Sequence, residues 1–211
     1  MYNTRMTSVL TGATLSQLRH WRKDKGQGTL LVPARGSDRQ SLYSFQDVVA
    51  LRMFVHLRQR TSLQKIRKAV AYLLEQHPET HLSAHNLKAG PGGRTIVWIA
   101  DDGDVIDVVE RPGQPGIRVV MEQIFGPFST EDGRIVPDLR TPAPGLSIDR
   151  EVRGGYPVLK GTRLPYDAVA SLSSDGLTDA EIIEIYPTAT SEGIAGARQF
   201  AEMIDSNVPD A

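Results

Sequence analysis

Two stretches of the sequence carry side chains of the kind that read or grip another molecule. The first follows a Thr-Gly turn and runs Thr14-Leu15-Ser16-Gln17-Leu18-Arg19-His20-Trp21-Arg22. Leu15, Leu18 and Trp21 recur at i, i+3 and i+6, which gathers them on one face of a helix and leaves Ser16, Gln17, Arg19, His20 and Lys23 on the other. Gln is the residue type that pairs bidentately with adenine, and Arg the type that pairs so with guanine. Arg35 and Arg39 lie in the Gly- and Ser-rich turn beyond, where they can meet flanking phosphates and supply affinity and salt dependence. The second stretch is Gly155-Tyr156-Pro157-Val158-Leu159-Lys160-Gly161-Thr162-Arg163-Leu164-Pro165. Gly155, Pro157, Gly161 and Pro165 fix a sharp loop that presents Lys160, Thr162 and Arg163. A guanidinium in such a loop suits bidentate pairing with carboxylates; capping a neighbouring helix or tying a dimer would use the same group.

Other candidate chemistry is weaker. His77, His81 and His85 are spaced by four, but Pro78 interrupts any shared helix and no carboxylate pattern completes a metal site. Asp101, Asp102, Asp104 and Asp107 read as a solvated hairpin turn rather than a divalent-ion site. No P-loop, dinucleotide Gly motif or Ser/His/Asp signature is present, so the expectation is a protein that is not an enzyme and holds neither metal nor cofactor.

The elements that must position these residues are mainly helical with small β pieces. Thr4–Leu10 is a short helix stopped at Gly12, and Thr14 caps a second over 15–24. Leu30–Val32 and Leu42-Tyr43 flank the 33–40 turn as a two-stranded hairpin. Ser44 opens a third helix with Val48, Leu51, Phe54 or Val55, and Leu57 inward. Thr61-Ser62 opens a fourth with Leu63, Ile66, Val70, Leu73 and Leu74 inward. Residues 82–145 read as a β-rich connector, with strands at Thr95–Ala100, Val105–Val109 and Ile117–Phe125 and a flexible piece at Thr141–Gly145. From Leu146 an extended entry leads into three short helices: one after Pro165 to about Ser174, one capped by Thr178 and ending at Tyr186-Pro187, and one from Thr190 through Ile204. Three units follow: 1–81, a winged helix-turn-helix; 82–145, the connector; 146–211, a three-helix bundle.

At 211 residues, 40% apolar and 23% charged, the chain is of ordinary globular composition. It has no Cys, no signal-peptide core and no apolar run long enough to span a bilayer, so a cytoplasmic location is expected. The overall charge of −1 conceals a division. Residues 1–81 hold 13 Lys and Arg against 5 Asp and Glu, whereas residues 82–211 hold 11 against 20. A basic front half suggests a nucleic-acid partner, and an acidic rear half a different one. That acidic balance argues against the tail touching DNA.

The first segment resembles the MerR-type winged helix-turn-helix family, on Met6 through Trp21, then Leu42-Tyr43-Ser44-Phe45-Gln46-Asp47-Val48, then Thr61-Ser62-Leu63-Gln64-Lys65-Ile66. The resemblance places Thr14, Ser16, Gln17, Arg19 and His20 on a recognition helix and Arg35, Arg39 and Tyr43 on or beside a wing; with Arg22 these form the expected DNA-binding set. Gln40-Ser41 stand where the wing commonly has an aromatic–Arg pair, and the long dimerising helix and Cys-containing effector loop of metal-responsive members are missing. The tail resembles the family catalogued as domain of unknown function 433, on Ile148-Asp149, the 155–165 stretch, Gly176-Leu177-Thr178, Glu181-Ile182 and Tyr186-Pro187, with Gly155-Tyr156-Pro157 in place of the usual Gly-Arg-Pro. The combination is similar to VapB-type antitoxins of type II toxin–antitoxin systems. That resemblance implies a homodimer that represses its own operon on operator DNA and neutralises a PIN-like (VapC-type) ribonuclease, with Gly155, Pro157, Lys160, Gly161, Thr162, Arg163 and Pro165 as the toxin-binding or signature residues. The alternative is a stand-alone regulator whose tail only dimerises or binds another protein.

Overall fold

The computed structural model describes residues 1–23, 29–36, 40–89, 94, 96–99, 105–109 and 124–206. The order opens with β1 (Tyr2–Asn3), α1 (Thr4–Thr11), α2 (Leu15–Trp21), β2 (Leu42–Tyr43), α3 (Phe45–Arg58) and α4 (Leu63–Gln76). Asn3, Thr14, Ser44 and Ser62 each accept a backbone N–H three residues ahead, so all four helices begin where a short polar side chain satisfies an orphan donor. β2 does not form the expected hairpin with Leu30–Val32. It pairs antiparallel with the N-terminal strand, Tyr2 opposite Tyr43 and Asn3 opposite Leu42, and a lone bridge between Arg35 and Leu42 is what remains of the ribbon among the described residues. Leu30 and Leu31 are buried, and their N–H groups donate to the Trp21 carbonyl at the end of α2. They plug the core beneath that helix rather than extend a strand.

α3 is buried on nearly every side, from Asp47 to Leu57, and is the central element. Two of its buried residues are charged. Asp47 Oδ2 accepts from the N–H groups of Ser44 (2.7 Å) and Ala34 (3.3 Å), and its Oδ1 lies 3.1 Å from His81 Nε2. Burial works to raise this carboxyl's pKa, but hydrogen bonds from His81 and Ser44 prevail and hold it below the usual value. Arg52 is fully buried, and among the described residues no carboxylate is bonded to it. Its guanidinium donates to the carbonyls of Ile124 (2.6 Å), Leu10, Pro137 (3.0 Å), Phe125 (3.3 Å) and Gly126 (2.7 Å). Desolvation pushes its pKa down to about 10, opposed in part by the Asp138 charge, so it stays ionised at neutral pH. On α4 the buried stripe is Ile66, Ala69, Val70 and Leu73; Leu74, expected inside, is 43% exposed.

The connector holds an antiparallel sheet of β3 (Asn86–Ala89), β4 (Ile96–Ile99) and β5 (Val105–Asp107), of which β3 is unforeseen by the sequence pattern. Most of the strand expected at Ile117–Phe125 and the 101–104 turn lie outside the described residues; Ile124 and Phe125 form a turn. A second, small ribbon joins β6 (Phe128–Ser129) to β7 (Ile135–Val136). The stretch expected to be flexible, Thr141–Gly145, is packed: Pro142 and Ala143 are buried, and the Leu146 N–H closes a turn on the Ala143 carbonyl (3.1 Å).

β8 (Leu146–Ser147) pairs with β9 (Val158–Leu159), and α5 (Tyr166–Ser174), α6 (Asp179–Ile185) and α7 (Ser191–Ser206) complete the tail. Gly196 lets α7 press onto the 143–146 turn, since a Cβ there would fall 1.7 Å from the Pro144 carbonyl oxygen. One hydrophobic cluster runs through all of this, from Tyr2 and Leu10 through Phe54 to Phe200 and Ile204. Four rings mark its path between the N-terminal segment, 1–81 (the head), and the tail: Tyr2 to Tyr156 (6.4 Å), Tyr156 to Tyr166 (6.0 Å) and Tyr166 to Phe200 (4.9 Å). The Tyr2 hydroxyl also donates to the Gly155 carbonyl. No helix among the described residues is long and apolar enough to cross a membrane.

Two outcomes are expected. Arg52→Ala strands buried carbonyls and should lower unfolding stability by about 3 kcal/mol or more, read by urea denaturation through tryptophan fluorescence; a loss below about 1 kcal/mol would remove Arg52 from its central place. Because the folded pKa of Asp47 lies below the unfolded one, its contribution is present above the unfolded value near 4 and lost as pH falls through the folded value. The stability gap between wild type and Asp47→Asn should therefore shrink from pH 6 to pH 3, and a constant gap would rule out the carboxylate as its source.

Candidate nucleic-acid interface

α2 is set at its angle by the turn before it. Gly12 closes α1 in the left-handed region (φ 75°), with its N–H on the Ser8 carbonyl at 2.9 Å. Thr7, Ser8 and Thr11 are buried and bonded within α1 and the turn, Thr11 Oγ1 donating to the Thr7 carbonyl and accepting from the Ala13 N–H. The N-terminus of α2 is then locked by a reciprocal pair: Thr14 Oγ1 accepts from the Gln17 N–H (3.0 Å) and Gln17 Oε1 from the Thr14 N–H (2.8 Å). Leu18 and Trp21 point inward, Trp21 edge-on to Phe54 at 6.4 Å.

Ser16, Gln17 and Arg19 are exposed, and Thr14 and His20 are half-buried on the same outer face. Since Gln17 Oε1 is engaged at the cap, its amide nitrogen is the group left to meet a base edge. Arg22 is half-buried and donates to the Ser41 hydroxyl, which makes it a strut between α2 and the ribbon. Arg35 is exposed beside the bridge to Leu42; Arg39 lies outside the described residues. Tyr43 is 1% exposed, its phenol pushed up by burial. The alternation of β2 turns it into the core and leaves Leu42 as that strand's outward residue. The structure thus brings Thr14, Ser16, Gln17, Arg19 and His20 together and takes Tyr43 away from the surface.

The 155–165 stretch divides in the same manner. Gly155 and Pro157 are buried, and a Cβ on Gly155 would fall 2.8 Å from Phe45 Cδ2 and 3.0 Å from the Tyr2 hydroxyl, so this glycine (φ 84°) serves the head–tail seam. Thr162 is half-buried and works inside the loop, its hydroxyl donating to the Leu159 carbonyl (2.9 Å) and accepting the Leu164 N–H (3.0 Å). Pro165 starts α5. Lys160, Gly161 and Arg163 face solvent.

Sequence reasoning missed the β6–β7 ribbon, which lies against the helix-turn-helix. Arg134 Nη2 donates to the Gly12 carbonyl (3.0 Å), Gln59 Nε2 donates to the Ser129 carbonyl (2.8 Å), and a Cβ on Gly12 would fall 2.5 Å from Val136 Cγ2. A hollow of about 200 Å³ separates Thr14, Gln17 and Trp21 from Thr130, Glu131 and Asp132. The signal was present, since Asp132-Gly133 between Phe128-Ser129 and Ile135-Val136 is a hairpin pattern. Of the three spaced histidines, His77 and His85 pack on Trp98, at 4.7 and 5.5 Å, while His81 meets Asp47. Among the described residues no group of three or more such side chains is placed to hold a metal ion.

Two family models match parts of the chain. Residues 2–73 match the family model for MerR HTH family regulatory proteins, and residues 146–201 match that for a protein of unknown function, DUF433. No curated protein matches. A crystal structure of Rv2018 from Mycobacterium tuberculosis is similar in fold, with 18% identity, 93% of this chain and 96% of that chain covered, and a TM-score of 0.51. The chain carries a MerR-type helix-turn-helix at its N-terminus and a DUF433 segment at its C-terminus.

Proposed function

We propose that this chain is a DNA-binding transcription regulator that reads an operator through α2 as one half of a homodimer. One observation carries the reading: the outer face of α2 presents Ser16, Gln17 and Arg19 to solvent above a buried Leu18 and Trp21, in the segment that matches the MerR model. The reciprocal Thr14–Gln17 cap and the Trp21–Phe54 contact hold that face rigid, so little ordering is needed on binding. The excess of Lys and Arg over residues 1–81 supplies the nonspecific attraction that brings such a face onto a duplex. A twofold-related pair of copies would set two α2 helices in successive major grooves.

The finer reading within this proposal is an antitoxin that neutralises a PIN-like (VapC-type) ribonuclease and represses its own operon. Its support is the joining of the two matched segments in one chain and the outward Lys160 and Arg163 on the tail's signature loop. The alternative, a stand-alone regulator, keeps the same DNA-binding face and uses the tail for dimerisation or another protein.

Arg19→Ala should weaken binding to a selected operator duplex by about 1–3 kcal/mol more than to random duplex, measured by fluorescence anisotropy; an equal loss on both would make Arg19 a phosphate contact. Purification of the complex from its host should yield a stoichiometric PIN-like ribonuclease whose RNA cleavage is suppressed while bound. Recovery of the regulator alone would leave the stand-alone reading.

A further inference from the structure

The tail as a whole is acidic, but its charges are sorted. Beyond Leu164 the described residues hold eight acids and one base, Arg198, which is paired with Asp179 at 2.5 Å. Between residues 140 and 163 the order reverses: Arg140, Arg150, Arg153, Lys160 and Arg163 are all exposed, against Asp149 and Glu151. Of these, Arg153 and Arg163 stand at the junction with the N-terminal segment.

At that junction a cleft of about 510 Å³ is lined by Met1, Arg153, Tyr156, Arg163 and Asp167. No hydrogen bond or ion pair ties either guanidinium to a described residue. The one carboxylate present, Asp167, accepts from the Tyr156 hydroxyl at 2.9 Å. One wall is fixed, because Tyr156 stacks on Tyr2 and packs at a tilt against Tyr166. Arg153 stands at φ 50°, in the left-handed region that a non-glycine residue occupies at a cost, and is the one such residue described. A glycine would suit that backbone better, so the position keeps an arginine against its conformational preference.

We propose that Arg153 and Arg163 close on one phosphodiester group of the DNA backbone, extending the nucleic-acid interface from the head onto the tail. The two guanidiniums outweigh the one carboxylate, so the cleft is net positive and suits a phosphodiester monoanion, and guanidiniums from two loops can share its oxygens. The cleft adjoins β1, which pairs with β2 and through it with Arg35, so one small sheet joins the exposed Arg35 to the edge of the cleft. This inference rests on the DNA-binding reading and deepens it.

The test uses full-length protein and a labelled random-sequence duplex of about 30 base pairs, with binding followed by anisotropy from 50 to 300 mM salt. Loss of one phosphate contact lowers the slope of log K against log salt by about 0.9 and weakens binding about eightfold at 0.1 M. Arg153→Gly, Arg163→Gln and the double variant should each show that loss, the double no more than either single, because one phosphate is shared. Arg153→Gly should retain or raise the Tm, which separates lost binding from lost fold. If the wild type binds and the variants match it in affinity and slope, the phosphodiester clamp is wrong while the DNA-binding reading stands. If those same variants then release a co-purifying protein, the arginines serve that partner's carboxylates and the clamp is equally overturned. If inorganic phosphate raises the Tm of the wild type but not of the variants while the DNA slopes agree, the cleft takes a free phosphate and the DNA assignment fails. If the wild type binds no duplex at any salt, the DNA-binding reading fails together with the inference.

Discussion

The Arg52 guanidinium is taken out of water with no carboxylate among the described residues bonded to it, and its charge is divided among five carbonyl oxygens. Such an arrangement is tolerable only if every donor is met, since a buried charge left short of partners is among the largest penalties a fold can carry. The five acceptors come from α1, from the turn at 124–126 and from the residue just after β7, so satisfying Arg52 fixes all three against α3. Phe128, whose ring lies 5.1 Å from the same guanidinium, is drawn in with them. The rest of the head is arranged around that requirement. The end of α1 is pinned at Leu10, two residues before the Gly12 turn, and the β6–β7 ribbon is brought to lie against that turn.

The junction with the tail follows a different logic, one of shape rather than charge. Tyr2 offers a flat ring to Tyr156 and a hydroxyl to Gly155, and Gly155 must lack a side chain to admit it beside Phe45. The row of rings then continues into the tail bundle through Tyr166 and Phe200. Head and tail share one apolar cluster, which makes independent swinging of the tail an expensive motion. Any influence of a tail-bound partner on α2 would pass through this packing, as a difference in contact between two arrangements of the seam.

What the sequence revealed followed the range of the interactions involved. Caps and helical stripes are local, so Thr14, Ser44, Ser62 and Thr178 marked helix starts that the structure retains, and the outer face of α2 was legible from the spacing of Leu18 and Trp21. Strand pairing is not local. Nothing near Leu42 announces that its partner is Asn3 rather than the run at Leu30, and Tyr43 goes inside for that reason. Arg52 lies outside the apolar stripe by which its helix was read, and the carbonyls that receive it are more than 70 residues away. Thr141–Gly145 carries the composition of a linker, yet α7 covers it through Gly196, far along the chain. In the 155–165 stretch the residue types foretold a stiff loop, but which of them would be covered depended on the head.

The separation between Tyr2 and Gly155 is 153 residues, and between Arg52 and Pro137 it is 85. During synthesis the head is made first and completed last. At about 5–20 residues per second, roughly 8–30 s pass between the appearance of Tyr2 and that of its partner. Throughout that interval the helix-turn-helix would exist with Arg52 lacking its connector carbonyls and Tyr2 uncovered. Ribosome-bound chains stopped before residue 124 would thus be prone to capture by chaperones and cleavage by proteases, and the amount of intact protein in a cell would depend on the speed at which its second half is translated.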